Sequence, residues 1–443
     1  MAIDMNVFQQ FAGQMAQLGS MAQPTDYPDE ERVERAKAVF RKGIGSEQAG
    51  DLEACVKCGL CAEACHFRVA TGDPKYTPAR KMELMRRFYQ REMGSFRWLY
   101  RLATLDITAK DLEDWQELVY DSCTTCGRCG MICPMGINIA GIVTTTRQAL
   151  AEAGLVPADL RAVQQEQGAN GTVFGAGPDT VHQAVEQMRA RGHDVPLDKE
   201  KADYLVLTSV VDMMLFTDQL EATIKIFNRL GLDWTFRSDG FEGANFGLLA
   251  GVADVQQQAS MKVIETAIAI GAKAVVVPEC GHAYPALRWS GAEVYGKPLP
   301  FDVYVISEFL DLQLQAGNLK LKSDNSDIKV TFHDPCKHGR YSGILDEPRS
   351  VIKALGVDFR ELPSHGMMNW CCGGGAGVFV IGSAAPLRQA AFGIKYDEVN
   401  KTGADKVLMA CGSCRLNYLK GAQDNNWDKE IVSLVALVGD NLE

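Results

Sequence analysis

Of the fourteen cysteines in this 443-residue chain, all but Cys280 fall into three groups. Cys55, Cys58, Cys61 and Cys65 are spaced C-x2-C-x2-C-x3-C, and Cys123, Cys126, Cys129 and Cys133 repeat that spacing before Pro134. Cys336, Cys371, Cys372, Cys411 and Cys414 form a looser third group. Clustered thiols in a reducing compartment indicate metal ligation rather than disulfides. Structural zinc is the competing chemistry, but zinc sites pair two Cys-x2-Cys units rather than use a four-cysteine run.

The two runs resemble those of bacterial two-cluster ferredoxins, in which three thiolates of a run hold one 4Fe–4S cubane and the fourth reaches the other cluster. The resemblance assigns Cys55, Cys58, Cys61 and Cys133 to one cubane, and Cys123, Cys126, Cys129 and Cys65 to the second. His66 stands where the first run would carry proline, and the ligand count is unaffected. The long helical stretch between the runs is similar to the helical ferredoxin domain of succinate dehydrogenase and heterodisulfide reductase subunits. Two clusters in such a domain form an electron wire.

These ligands need elements to hold them. Phe8, Phe11, Met15 and Leu18 have helical spacing and predict a short helix docked on the body or on a partner. The basic stretch Lys75–Arg101 is a solvated helix face or a docking face for an acidic partner or membrane surface. Residues 156–200 contain no metal ligand and are expected to form a linker with one helix. Beyond residue 200, short apolar runs at 204–210, 232–236 and 273–278 alternate with helices at 215–230 and 256–270, which implies a mostly parallel sheet. The plan then recurs: IKVTFHD (328–334) matches the first strand, and ALGVDF (354–359) matches RLGLDW (229–234). CCGGGAGV (371–378) lies over NFGLLAGV (245–252), and GADKVLMACGSC (403–414) over GAKAVVVPECGHA (271–283). The fold class is α+β and multidomain: extension and entry helix 1–44, helical ferredoxin domain 45–155, linker 156–200, and two duplicated α/β units at 201–320 and 321–443.

The third cysteine group follows strands of the second unit, where parallel sheets gather ligands. Gly373, Gly374 and Gly375 let backbone approach a bulky group, and a helix after them would add a favourable dipole. The pattern C-x34-CC-x38-C-x2-C resembles the CCG (cysteine-rich) domain of heterodisulfide reductases, of DsrK-type subunits, and of the iron–sulfur subunits of glycolate and anaerobic glycerol-3-phosphate oxidoreductases. Its second gap is slightly long for the family. The resemblance implies that Cys336, Cys371, Cys372, Cys411 and Cys414 hold an unusual 4Fe–4S cluster at which a disulfide is cleaved. In the first unit Asn245 and Phe246 take the twin-cysteine place, Val210 or Val211 that of Cys336, Cys280 that of Cys411, and Ala283 that of the last cysteine. That unit is expected to be cluster-free, leaving three clusters. Cys280, with His282 and His338, is the candidate catalytic set. Cys280 is expected to face the special cluster as a partly accessible thiolate, while Lys337, His338 and Arg340 would attract an anionic substrate or supply protons.

The net charge of −11 argues against nucleic-acid binding. Neither an 18-residue apolar run nor a basic-then-apolar leader is visible, so the expectation is a cytoplasmic protein, free or peripheral on the membrane's cytoplasmic face. GAEVYGKP (291–298) has Pro298 where a phosphate loop needs Ser or Thr, and GGGAGV (373–378) lacks the last glycine of a dinucleotide fingerprint. Flavin would then belong to a partner. The DsrK and HdrD likeness implies a catalytic iron–sulfur subunit for disulfide/thiol redox chemistry in sulfur metabolism. Its partners would be a membrane cytochrome or soluble flavin/iron–sulfur subunits, and its substrate a DsrC-like or lipoate-binding sulfur carrier. The alternative is an electron-transfer subunit of a flavin-dependent 2-hydroxyacid or glycerol-3-phosphate dehydrogenase.

Overall fold

The computed structural model describes residues 5–15 and 17–443. The first third is helical. Helices Asp29–Gly43, Glu83–Glu92, Ala109–Gln116 and Ile139–Glu152 pack around Phe40, Phe88, Leu112, Ile142 and Val143, all buried. Their ends are set locally. Asp29, Glu30 and Glu31 meet the positive end of the first of these helices, and Thr108 and Asp111 form a reciprocal capping box on the third. Helix Met5–Met15 docks on the body as its apolar spacing requires, with Phe8, Phe11 and Met15 buried, and Leu18 follows in the next turn.

Residues 156–200, expected as a linker with one helix, carry two: Ala158–Asn170 and Pro178–Ala190. The first packs against the N-terminal segment and the first α/β unit, burying Leu160 and Val163. Its Gln-rich sequence conceals this because Gln164 and Gln167 are themselves buried.

Two four-stranded parallel sheets follow. The first contains β1 (Tyr204–Val206), β2 (Trp234–Thr235), β3 (Ala274–Val277) and β4 (Asp302–Val305), in the order β2-β1-β3-β4. The second contains β5 (Lys329–His333), β6 (Asp358–Phe359), β7 (Lys406–Met409) and β8 (Glu430–Ser433), in the equivalent order β6-β5-β7-β8. Register matches as well. Tyr204 pairs with Trp234 and Ala274, as Val330 pairs with Phe359 and Lys406. Ala274 faces Asp302 as Lys406 faces Glu430. The duplication is therefore residue-for-residue at the strands, and it corrects one correspondence. Two residues beyond the equivalent strand ends Val277 and Met409 stand Glu279 and Cys411, so Glu279, not Cys280, holds the place of Cys411. Counting onward, His282 rather than Ala283 holds that of Cys414.

The units are joined at these loops. Gly412 N–H donates to Glu279 O at 2.5 Å, and the buried Arg415 guanidinium pairs with both Asp218 oxygens, at 3.0 and 2.5 Å. Among the described residues no helix is long and apolar enough to cross a membrane.

Candidate functional site

The chain places the first eight cysteines in two separate pockets. Cys55, Cys58, Cys61 and Cys133 line one of about 410 Å³. Cys65, Cys123, Cys126 and Cys129 line another of about 370 Å³. Each run thus contributes three thiols to one pocket and its last thiol to the other, the exchange the ferredoxin likeness implies. Four soft thiol donors in one pocket suit a cubane. The first pocket is the outer one: Cys58 is exposed, and beside it Val56 and Leu60 are 74% and 43% exposed. The second is inner. Burial raises the Cys65 thiol, and the ammonium of Lys81 pulls the other way. That ammonium lies 3.9 Å from Cys65 Sγ and also donates to Ser122 O. Lys81 is 2% exposed, so its charge is available only to this site.

The third group assembles from three loops at strand ends. Cys336 begins helix Cys336–Ser342, Cys411 caps helix Gly412–Asp424, and Cys414 lies in that helix's first turn. The positive dipole ends facing the site are therefore these two. The helix expected directly after the glycines starts only at Ala385, because residues 373–377 form turns with φ of +96° at Gly373 and +83° at Gly377. Gly373 and Gly374 instead direct backbone N–H groups at Cys371 and Cys372 Sγ, at 3.4 and 3.5 Å. A side chain on Gly374 would strike Asn417, whose amide holds Cys372 O at 2.6 Å.

The inner pocket abuts this group. Thr124 Oγ1 lies 3.2 Å from Cys371 Sγ, and the ligand atoms of His66, Cys126 and Cys371 lie within 4.8 Å of one another. Arg147, 2% exposed, fastens the three regions together. It donates to Val119 and Cys123 O in the helical domain, Leu249 O in the first unit and Ala376 O in the second, at 2.7 to 2.8 Å. Lys337 and Arg340, expected to attract an anion, are likewise anchored on carbonyls, although Arg340 Nη2 has no partner among the described residues. Lys337 donates to Thr125 O at 3.0 Å, and Arg340 donates to Cys126, Met367 and Asn369 carbonyls. His333 was not singled out by sequence reasoning. It is 1% exposed at the end of β5 and groups with Cys372 and Cys414, while its Nδ1 meets Tyr418 Oη at 3.1 Å. Its position ahead of Cys336 on a strand that ends at the site was the available signal.

The family comparisons agree with this layout. The 4Fe-4S dicluster domain matches residues 51–137, and the cysteine-rich domain matches residues 330–418. The D subunit of the dihydromethanophenazine:CoB–CoM heterodisulfide reductase of Methanosarcina acetivorans is 27% identical over 422 residues, covering 93% of this chain and 98% of the relative. Across most of its length the chain is similar to heterodisulfide reductase D subunits and Hdr-like iron–sulfur subunits. The Hdr-like menaquinol oxidoreductase iron-sulfur subunit 2 of Archaeoglobus fulgidus is 26% identical, over 74% of this chain and 67% of the relative. The EtfAB:quinone oxidoreductase of Syntrophomonas wolfei is 26% identical, over 81% and 52%. The two matched domains indicate two 4Fe–4S clusters and a cysteine-rich cluster site.

Beside that site lies a pocket of about 720 Å³ between the two α/β units. Cys280 and His282 line it. His282 Nε2 accepts from Asn245 N–H at 3.0 Å, which leaves its proton on Nδ1, 3.7 Å from Cys280 Sγ. Burial pulls the His282 pKa down to about 4, so the ring is neutral. Cys280 is partly exposed, as expected, but burial, with the neighbouring Cys411 thiol adding to it, pushes its pKa far up. It is a thiol, not the expected thiolate. His338 is not a pocket residue. It is 1% exposed, lies with Nε2 3.2 Å from Cys280 O, and burial lowers it to about 4. Sequence reasoning missed the pocket's carboxyls because Asp212 and Glu279 each stand alone in an apolar stretch and Glu242 in a glycine-rich one.

Proposed function

We propose that the chain is the subunit of a redox complex in which electrons from a partner are used for disulfide/thiol chemistry at the cysteine-rich site. In this reading Cys55, Cys58, Cys61 and Cys133 hold the outer cubane, and Cys65, Cys123, Cys126 and Cys129 the inner one. Cys336, Cys371, Cys372, Cys411 and Cys414 hold the third cluster. The clusters supply one-electron relay and, at the third site, a centre at which a disulfide is reduced by two electrons. The single observation that carries this reading is the contact between the inner set and the third, with Thr124 Oγ1 3.2 Å from Cys371 Sγ. The residues Thr124 to Cys126 serve as the joint, held by Lys337 and Arg340.

Cys280 lines the pocket and is near enough to Cys411 for the two thiols to act on each other electrostatically. Its role is to position a substrate sulfur in the pocket, and the Nδ1–H of the neutral His282 points toward the Cys280 sulfur. The exposed apolar rim of the outer cubane site is the entry face for an electron-carrying partner, and the chain works on the cytoplasmic side of a membrane or in the cytoplasm. A protein-borne sulfur carrier of sulfur metabolism is the substrate this reading favours.

The test is electron paramagnetic resonance of the oxidised, iron-loaded protein titrated with a thiol. A new thiol-dependent signal from the third site is expected. Its absence, with all clusters present, would reduce the chain to electron transfer alone, the role the dehydrogenase-type alternative requires.

A further inference from the structure

The pocket between the α/β units is built from three loops of the first unit that correspond to the three cysteine-bearing loops of the second. The loop after β1 brings Asp212, the loop after β2 brings Glu242, and the loop after β3 brings Glu279. Backbone groups hold each carboxyl in place. Ser209 N–H donates to Asp212 at 3.0 Å, Ala244 and Val210 N–H donate to Glu242 at 2.7 and 3.2 Å, and Val435 N–H donates to Glu279 Oε1 at 3.1 Å. The second oxygen of Glu279 has no partner, although the residue is 2% exposed and lines the pocket. These carboxyls do not form a metal site: among the described residues the only groups of three ligand atoms within 4.8 Å are the His66 and His333 groups.

The walls are of another kind. Phe11 and Met15 from the N-terminal helix, Phe174 and Phe246 stacked edge-to-face, and Phe379 and Leu416 from the second unit surround the opening. Among the described residues neither Lys nor Arg lines it. The nearest cation acting on the floor, Arg415, is tied to both oxygens of Asp218. Burial raises Asp212 and Glu242 to about 7 and Glu279 to about 8, which fits an enclosed floor short of counter-charge.

We infer that this pocket receives a thiol or disulfide carried on an uncharged, apolar chain, and that its lining, which lacks Lys and Arg, disfavours anionic thiols. This rests on the reading of the cysteine-rich site as one that binds sulfur. The apolar walls remove such a chain from water, whereas an anion entering would lose its hydration in a low-dielectric space with no cation to offset it. The adjoining pocket that shares Leu249 and His282 does contain cations, Arg147 and Lys337. Arg147 is committed to carbonyls, and Lys337 to Thr125 O and the Tyr341 ring, 3.8 Å away.

The experiment titrates the oxidised, iron-loaded protein with 1-propanethiol, cysteamine and 2-mercaptoethanesulfonate, and reads the concentration that half-converts the third-site resonance signal. Propanethiol is expected to act at a concentration at least about tenfold below the sulfonate. Val211→Lys, which adds a cation to the lining, is expected to narrow that gap by strengthening the sulfonate without strengthening propanethiol. Sulfonate acting as well as or better than propanethiol, or cysteamine acting best, would overturn the inference while leaving the sulfur-binding reading intact. No response to any of the three would overturn both.

Discussion

The two α/β units share strand order and ladder register yet differ in every residue that matters for chemistry. In the second, three strand-end loops deliver five cysteines. In the first, Val210 stands at the place of Cys336, Glu279 at that of Cys411 and His282 at that of Cys414, while Asp212 and Glu242 occupy the neighbouring turns. The parallel sheet tolerates this because its stability comes from strands and helices behind the loops, such as the fully buried Val275 to Val277 and Val407 to Met409. The lesson is that losing a cluster motif need not leave an idle domain: the emptied loop positions have become the wall of a pocket that faces the retained cysteines.

That comparison breaks most decisively at the thiols. Cys372→Ala should remove the third cluster, lowering iron from about twelve to about eight per chain and abolishing disulfide turnover. Cys280→Ser should leave iron unchanged and only lower turnover. Elemental analysis beside a thiol-release assay separates the two. If Cys280→Ser also lost iron, the first unit would be a cluster ligand donor and the contrast would collapse. A large effect is also expected at Arg147, the residue that binds both units to the helical domain. Arg147→Met strands several buried carbonyls, at roughly 1–3 kcal/mol each. The expected outcome is poor accumulation or a markedly lower melting temperature, with Arg147→Lys recovering only part.

Acidity offers a finer test. The pocket carboxyls have folded pKa values of about 7 to 8, above the roughly 4 of an unfolded chain. Native protein therefore binds more protons than unfolded protein between those limits. Their contribution to stability is full below about pH 4 and is lost as pH rises toward 8. Glu279→Gln should raise the melting temperature relative to the parent at pH 8 and have little effect at pH 5. An equal shift at both values would mean the carboxyl is not held protonated. The smallest effect is expected from salt. Four of the eight cations of Lys75–Arg101 are already paired, Lys75 with Glu117, Arg87 with Asp111, Arg91 with Asp106 and Arg101 with Glu92. That segment and the residues just after it expose Phe96, Trp98, Leu102 and Leu105. Leu102→Ser with Leu105→Ser should weaken partner docking in a pull-down more than 0.5 M salt does. The reverse ranking would restore the charged docking face.

Much of this was legible from residue order alone. Tight cysteine spacing is a local constraint, so it specified the two thiol sets, and strand-scale periodicity revealed the duplication. The exchange of Cys65 and Cys133 between pockets was implied by the same pattern. Loop correspondence was less secure: sliding one residue to match Cys280 with Cys411 is costless in a string, but a ladder has no such freedom, and it placed Glu279 there instead. Charge was misjudged for a related reason. Lys337 and Arg340 look mobile in sequence, yet carbonyls of a domain more than two hundred residues away anchor them. Spacing along the chain determined which residues can ligate metal. Only the tertiary structure decided which thiol stays protonated, which cations are anchored and which carboxyls share a pocket, because solvation and partner distance are set by segments that meet only in the fold.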